Sequence, residues 1–209
     1  MARRRKPRRK KTHRIKLPAL IWLILLAMGL SIGVVGCQLI AQRSADVDTV
    51  AQHSDDTAQK QAFIDKLAPY AQELQQVYGV MPSITLAQAI LESDWGNSTL
   101  ASKYHNLFGI KATSGGVVLT TQEYLNGKWH TVNGRFAVYA TDQESMKAHA
   151  LLFVNGTAWN AKQYAEVLAA TTYQQAAAAL KTDGYATDPD YPSKLVKLIQ
   201  EWKLDQYDQ

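Results

Sequence analysis

Between Lys16 and Arg43 the chain runs for 26 residues without a charged side chain. Ten of its 23 lysines and arginines are packed into the sixteen residues before that run. About 20 apolar residues in helix are enough to cross a hydrocarbon core. The pattern therefore predicts a transmembrane signal-anchor over 17–41 behind a basic cytoplasmic tail at 1–16, with everything after it delivered outside. The tail also masks the character of the rest, which carries 13 bases against 18 acids. A nucleic-acid arm is the rival reading of the basic run. The acidic remainder and its lack of a recognition motif argue against that, so no nucleic-acid partner is expected.

A removable leader is the alternative to an uncleaved anchor. Val34-Val35-Gly36-Cys37 has the form of a bacterial lipobox, which would make Cys37 a lipidated N-terminus; simple secretion after cleavage is a further variant. Leu39, Ile40 and Ala41 keep the run apolar past the cysteine, which favours the uncleaved span. Cys37 is the single cysteine, so no intramolecular disulfide forms, and the five histidines show no zinc-ligand spacing. Residues 42–57, polar and poor in large apolar side chains, read as a linker.

From 58 to 209 the texture is that of one folded domain. Phe63, Leu67, Tyr70, Leu74, Val77 and Tyr78 recur at helical spacing and stop at Gly79. Pro82-Ser83 opens a second helix that ends near Gly96, and a short third helix fits STLASKY. Asn126-Gly127 and Asn133-Gly134 then separate three β-rich runs, which predicts a three-stranded meander. Helices return at the capping boxes of Thr141 and Thr172, and a last one over about 191–203 buries Leu195, Leu198, Ile199 and Trp202. The expected fold is α+β: a mainly helical lobe with a small antiparallel hairpin or meander lobe inserted.

Two carboxylates attract attention. Glu92 sits near the C-terminus of an apolar helix, where the helix dipole and desolvation beside Leu91 and Trp95 both raise a carboxyl pKa toward that of a useful general acid. A solvated glutamate on a polar helix face is the plainer reading of the same pattern. Glu123 shares a strand face with Leu119 and Leu125 and pairs with His130, which by itself is an ordinary cross-strand pair. Trp95, Tyr104, Phe108, Tyr124, Trp129, Tyr139, Tyr185 and Tyr191 cluster around these acids in sequence. Flat amphipathic rings suit sugars, and they also build cores. Phe108 and Tyr139 read as core, while Trp95, Trp129 and Tyr185 are the leading candidates for a glycan surface.

Five blocks then stand in order: AQAILESDWGNSTLA, HNLFGIK, TTQEYLNGKW, FAVYATDQESMKAHALL and GYATDPDYPSKLVKLI. Together they resemble glycoside hydrolase family 73, the exported bacterial β-N-acetylglucosaminidases that cut peptidoglycan, over about residues 60–203. The resemblance implies a lysozyme-like fold in which Glu92 is the catalytic acid and Glu123 the second carboxylate, with Tyr185 beside the acid. It places the Asn106–Lys111 block, with Phe108, along a glycan groove, and Trp95, Tyr124, Trp129 and Tyr191 complete the expected substrate contacts. Peptidoglycan strands are the implied partner, beside the membrane expected through the N-terminal helix, and no metal or organic cofactor is called for. The sequence departs from the family at Asp94, where glycine is frequent, and at Gln122, which intervenes between the threonines and Glu123.

Overall fold

The computed structural model describes residues 54–125 and 128–209, with the backbone alone over 122–125 and 128–130. The expected tail, span and most of the linker fall outside the described residues. Among the described residues no helix is long and apolar enough to cross a membrane. Residues 57–209 form one compact unit.

Helix α1 is described over 54–78, so helix already covers the last residues read as linker. It buries Ile64, Leu67, Ala68, Ala71 and Leu74, whereas Val77 is exposed. Helix α2, Pro82–Ser93, is buried at every position from Pro82 to Ile90. A helix buried on every side belongs in the middle of a core. Here α6, Tyr173–Thr182, α7, Tyr191–Trp202, and the 3-10 turn Leu204–Tyr207 pack around it. Helices α3, Thr99–Tyr104, α4, Asp142–Asn155, and α5, Ala165–Ala169, complete the helical layer.

The helix starts follow their local chemistry. Thr141 accepts from the Glu144 N–H at the head of α4, and Thr172 accepts from the Gln175 N–H at the head of α6. Each satisfies an amide that the helix itself leaves unpaired. The start of α2 has no such local cap. Instead the Asp208 carboxylate accepts from the Ser83 N–H at 2.8 Å and from Ser83 Oγ at 2.7 Å, across 125 residues of sequence.

The sheet corrects the expectation of a meander. Among the described residues it has two strands, β1 Val117–Leu125 and β2 Lys128–Phe136, and Asn133-Gly134 lies inside β2 opposite Thr120 and Leu119. The predicted pairing of Glu123 with His130 holds, with Leu125 opposite Lys128 and Tyr124 opposite Trp129 on the same hairpin. Gly134 marks a close approach rather than a turn: a Cβ there would sit 2.7 Å from Lys111 Nζ and 2.8 Å from the Phe136 ring. The neighbour of β2 beyond the hairpin comes from upstream, through a bridge between Lys111 and Phe136.

Candidate active site

The C-terminal end of α2 is where ionisable and aromatic side chains converge. Asp94, Trp95 and Gly96 take left-handed backbone angles in succession, with φ of 52°, 58° and 79°, and turn the chain sharply away from the helix. Ser93 stabilises this turn by donating to the Ala89 carbonyl and accepting from the Gly96 N–H at 2.7 Å. Glu92 is left at the helix end, exposed while Pro82–Ile90 are buried.

The Tyr191 hydroxyl donates to Glu92 Oε1 at 2.7 Å. Tyr191 is the first residue of α7 and is buried, so the two helix ends meet through this bond. Behind it, Gln88 Nε2 donates to the Tyr191 oxygen at 3.0 Å. Gln88 lies one turn before Glu92 on α2, which puts both on one face. Burial raises the Glu92 carboxyl above its ordinary value, partly countered by the bond from Tyr191. A carboxyl open to solvent on one side and enclosed by protein on the others is both reachable and poorly solvated.

Tyr185 stacks on Tyr191, with ring centroids 5.9 Å apart and planes at 29°. It follows α6 through Gly184, at φ 78°, and its N–H bonds the Leu180 carbonyl. His149, Phe153 and Tyr164 meet it edge-on or tilted at about 6 Å. Burial and the charge of Glu92 push its hydroxyl well up. His149 in turn lies flat on Phe108. It is fully buried, with neither ring nitrogen hydrogen-bonded among the described residues, and desolvation lowers its pKa to about 3.

The structure thus brings Glu92, Tyr185 and Tyr191 together. It sets Asn106 and Phe108 behind the surface, Phe108 in the core position its ring suggests. Asn106 is 1% exposed, and its amide bonds the carbonyls of Ile110 and Ala137 and the amides of Phe108 and Ile110. Such a saturated side chain ties a loop and has nothing left for a ligand. Phe108, 4% exposed, is core under His149. Trp95 packs edge-on against Trp202 at 4.9 Å and Phe63 at 6.2 Å, with the Lys60 ammonium over its ring. The side chains of Glu123, Tyr124 and Trp129 lie outside the described residues; by the two-residue period position 123 shares its strand face with Leu119 and Thr121. Gln88 and His149 carry no site signal in the sequence, where a glutamine and a histidine on apolar helix faces look unremarkable. Among the described residues no group of three or more His, Cys, Asp or Glu side chains could hold a metal ion.

Comparison with known proteins gives the chain's relatives. The family model described as mannosyl-glycoprotein endo-beta-N-acetylglucosaminidase matches residues 68–204. The chain is 49% identical over 162 residues to the exo-glucosaminidase LytG of Bacillus subtilis, covering 77% of this chain and 57% of that protein. It is 40% identical over 176 residues to a probable N-acetylmuramidase of Lactococcus lactis, covering 82% of this chain and 39% of that protein. The chain therefore spans about half the length of these curated relatives. Among solved structures, the catalytic domain of the autolysin Auto from Listeria monocytogenes aligns with a TM-score of 0.65 at 37% identity, covering 75% of this chain and 96% of that one.

Proposed function

The chain belongs to the glucosaminidase family, and from that premise we propose that it hydrolyses the β-1,4-linked glycan strands of peptidoglycan on the N-acetylglucosamine side, with Glu92 as general acid. The observation that carries this reading is the bond from Tyr191 to Glu92 Oε1 at a carboxyl raised by burial. Such a group holds a proton at higher pH than a free glutamate and can deliver it. The glycosidic oxygen takes that proton as its bond to C1 breaks, the bonding electrons stay on the leaving oxygen, and C1 passes through an oxocarbenium-like state.

Water or an internal nucleophile completes the displacement. Glu123, as a second carboxylate, would activate water from the opposite face and invert C1; attack by the substrate's own 2-acetamido oxygen would retain it. Tyr185, stacked beside Tyr191, is suited to hold the acetamido group, and Tyr185→Phe then lowers turnover with binding unchanged. Residues 17–41 anchor the enzyme in the membrane with its catalytic domain outside. Globomycin sensitivity and radiolabelled palmitate incorporation at Cys37 would replace that anchor with a lipoprotein one.

The test is digestion of purified peptidoglycan by the full chain and by Glu92→Gln. Released muropeptides are reduced with borohydride and read by mass spectrometry. Reduced N-acetylglucosamine ends that disappear in Glu92→Gln support the reading. Free N-acetylglucosamine, rather than longer fragments, would make the action exo instead of endo. Reduced muramic ends, or anhydro-muramic ends, would move the cut to a muramidase or lytic transglycosylase, a reading favoured by the lactococcal relative's name. Binding without release would leave a cell-wall-binding protein.

A further inference from the structure

Gln88 is completely buried in the middle of α2, and its side-chain carbonyl Oε1 has no hydrogen-bond partner among the described residues. Burying an unpaired carbonyl is destabilising, so packing alone does not explain a glutamine where methionine would fill the same space. The one hydrogen bond its side chain makes among the described residues runs from Nε2 to the Tyr191 oxygen at 3.0 Å.

The direction of that bond is determined from the far end of the chain of contacts. An ionised Glu92 carries no hydrogen, so the 2.7 Å bond to Oε1 uses the single hydrogen of the Tyr191 hydroxyl. With that hydrogen committed, the Tyr191 oxygen can only accept from its other neighbour, and the Gln88 group facing it must be the amide. Once Glu92 takes up a proton, the same amide keeps the arrangement from reversing. A Glu92 proton on Oε1 would turn Tyr191 into an acceptor and aim its hydrogen at the Gln88 NH₂, donor against donor.

We propose that Gln88 is a positioning residue: its donation to Tyr191 fixes Tyr191 as donor to Glu92 Oε1 and so confines the Glu92 proton to Oε2. An acid whose proton sits on one defined oxygen presents it in one direction, toward the bond to be cleaved. This rests on the reading of Glu92 as the general acid. Among the described residues the titratable groups coupled to Glu92 are Tyr191 of α7 and Tyr185 of the segment after α6. Donation from Gln88 also polarises the Tyr191 hydroxyl and strengthens its bond to the carboxylate.

The experiment compares Gln88→Met, Tyr191→Phe and the double variant in the full chain on peptidoglycan, with pH–rate profiles. Gln88→Met is expected to melt no lower than wild type, because the unpaired carbonyl is gone. Its turnover falls roughly tenfold, the rate equivalent of one hydrogen bond, with KM nearly unchanged. The basic limb of its profile moves to higher pH, since the carboxylate has lost support. Added to Tyr191→Phe, the substitution changes neither turnover nor profile further. A Gln88→Met profile whose basic limb stays put, or a double variant slower than Tyr191→Phe alone, overturns the proposal. A second measurement needs no substrate and no Gln88 variant. The Gln88 ¹⁵Nε2 resonance of the wild-type chain should titrate with the Glu92 carboxyl and cease to do so in Tyr191→Phe; a silent resonance in wild type sinks the relay. Full turnover by Glu92→Gln would instead defeat the acid reading and leave the amide titration to judge the relay.

Discussion

His149 lies flat on Phe108, with ring centroids 3.9 Å apart and planes 12° from parallel. The ring is fully buried and desolvation lowers its pKa to about 3 from an ordinary 6.5. It is therefore neutral in the folded protein across the range where an unfolded histidine charges. The unfolded chain binds the extra proton, so stability rises with pH through this window and is lost as pH falls below about 6.5. The expected slope is about 1.4 kcal/mol per pH unit once the unfolded histidine is fully charged. Urea unfolding at a series of pH values should give a slope shallower by one proton in His149→Phe than in wild type. Equal slopes would mean the imidazole is hydrated in solution.

Glu92 has the opposite linkage. Its folded-state pKa is raised, so its stabilising contribution is present below the ordinary value of 4.5 and is lost as pH rises through the folded value. At neutral pH, where the unfolded glutamate is ionised, burial of this carboxyl is a cost to the fold. Glu92→Gln should therefore abolish most turnover, by about 10²–10⁴-fold for loss of a general acid, while raising the melting temperature at pH 7 and not at pH 4. Loss of activity together with loss of stability would point to a structural glutamate.

The contrast between what the sequence discloses and what it withholds follows the range of the interactions. Thr141 with Glu144 and Thr172 with Gln175 are partners three residues apart, so both helix starts are legible as strings. The relations that build the site are not local: Tyr191 reaches Glu92 across 99 residues and Gln88 across 103. Asn133-Gly134 has the letters of a turn, yet its glycine answers to Lys111 and Phe136, a crowding that appears only when the strands are laid together. The bonds of Asn106 are likewise visible only in the fold. The family resemblance puts it along the groove, and its four bonds go to its own loop and to the Ala137 carbonyl.

Asp94 departs from the glycine frequent in the family, and its backbone shows why glycine suits the position. Its φ is 52°, and it caps α2 by donating its N–H to the Ile90 carbonyl. The left-handed region costs most residues about 1–2 kcal/mol, less for aspartate, and glycine removes that strain at some expense in unfolded-chain entropy. Asp94→Gly should then stabilise the fold by about 0.5–1 kcal/mol, read as a higher urea midpoint with an unchanged slope. A lower midpoint would show that the aspartate carboxylate contributes more than its backbone angle costs.

Asp208 holds the opposite end of the same helix. Ser83 is fully buried, and Asp208 accepts both its N–H and its hydroxyl hydrogen. Met81, in the capping position, supplies no side-chain bond, so the carboxylate from the distant segment does what a local serine or aspartate would do. Asp208→Ala leaves two buried donors unpaired, for a loss of about 1–3 kcal/mol. Asp208→Asn keeps one acceptor oxygen and should recover part of it. Because Glu92 lies at the far end of α2, kcat of the folded protein at low temperature should not change in either variant. A fall in kcat without a fall in melting temperature would mean that the anchorage of α2 is transmitted to the carboxyl at its other end.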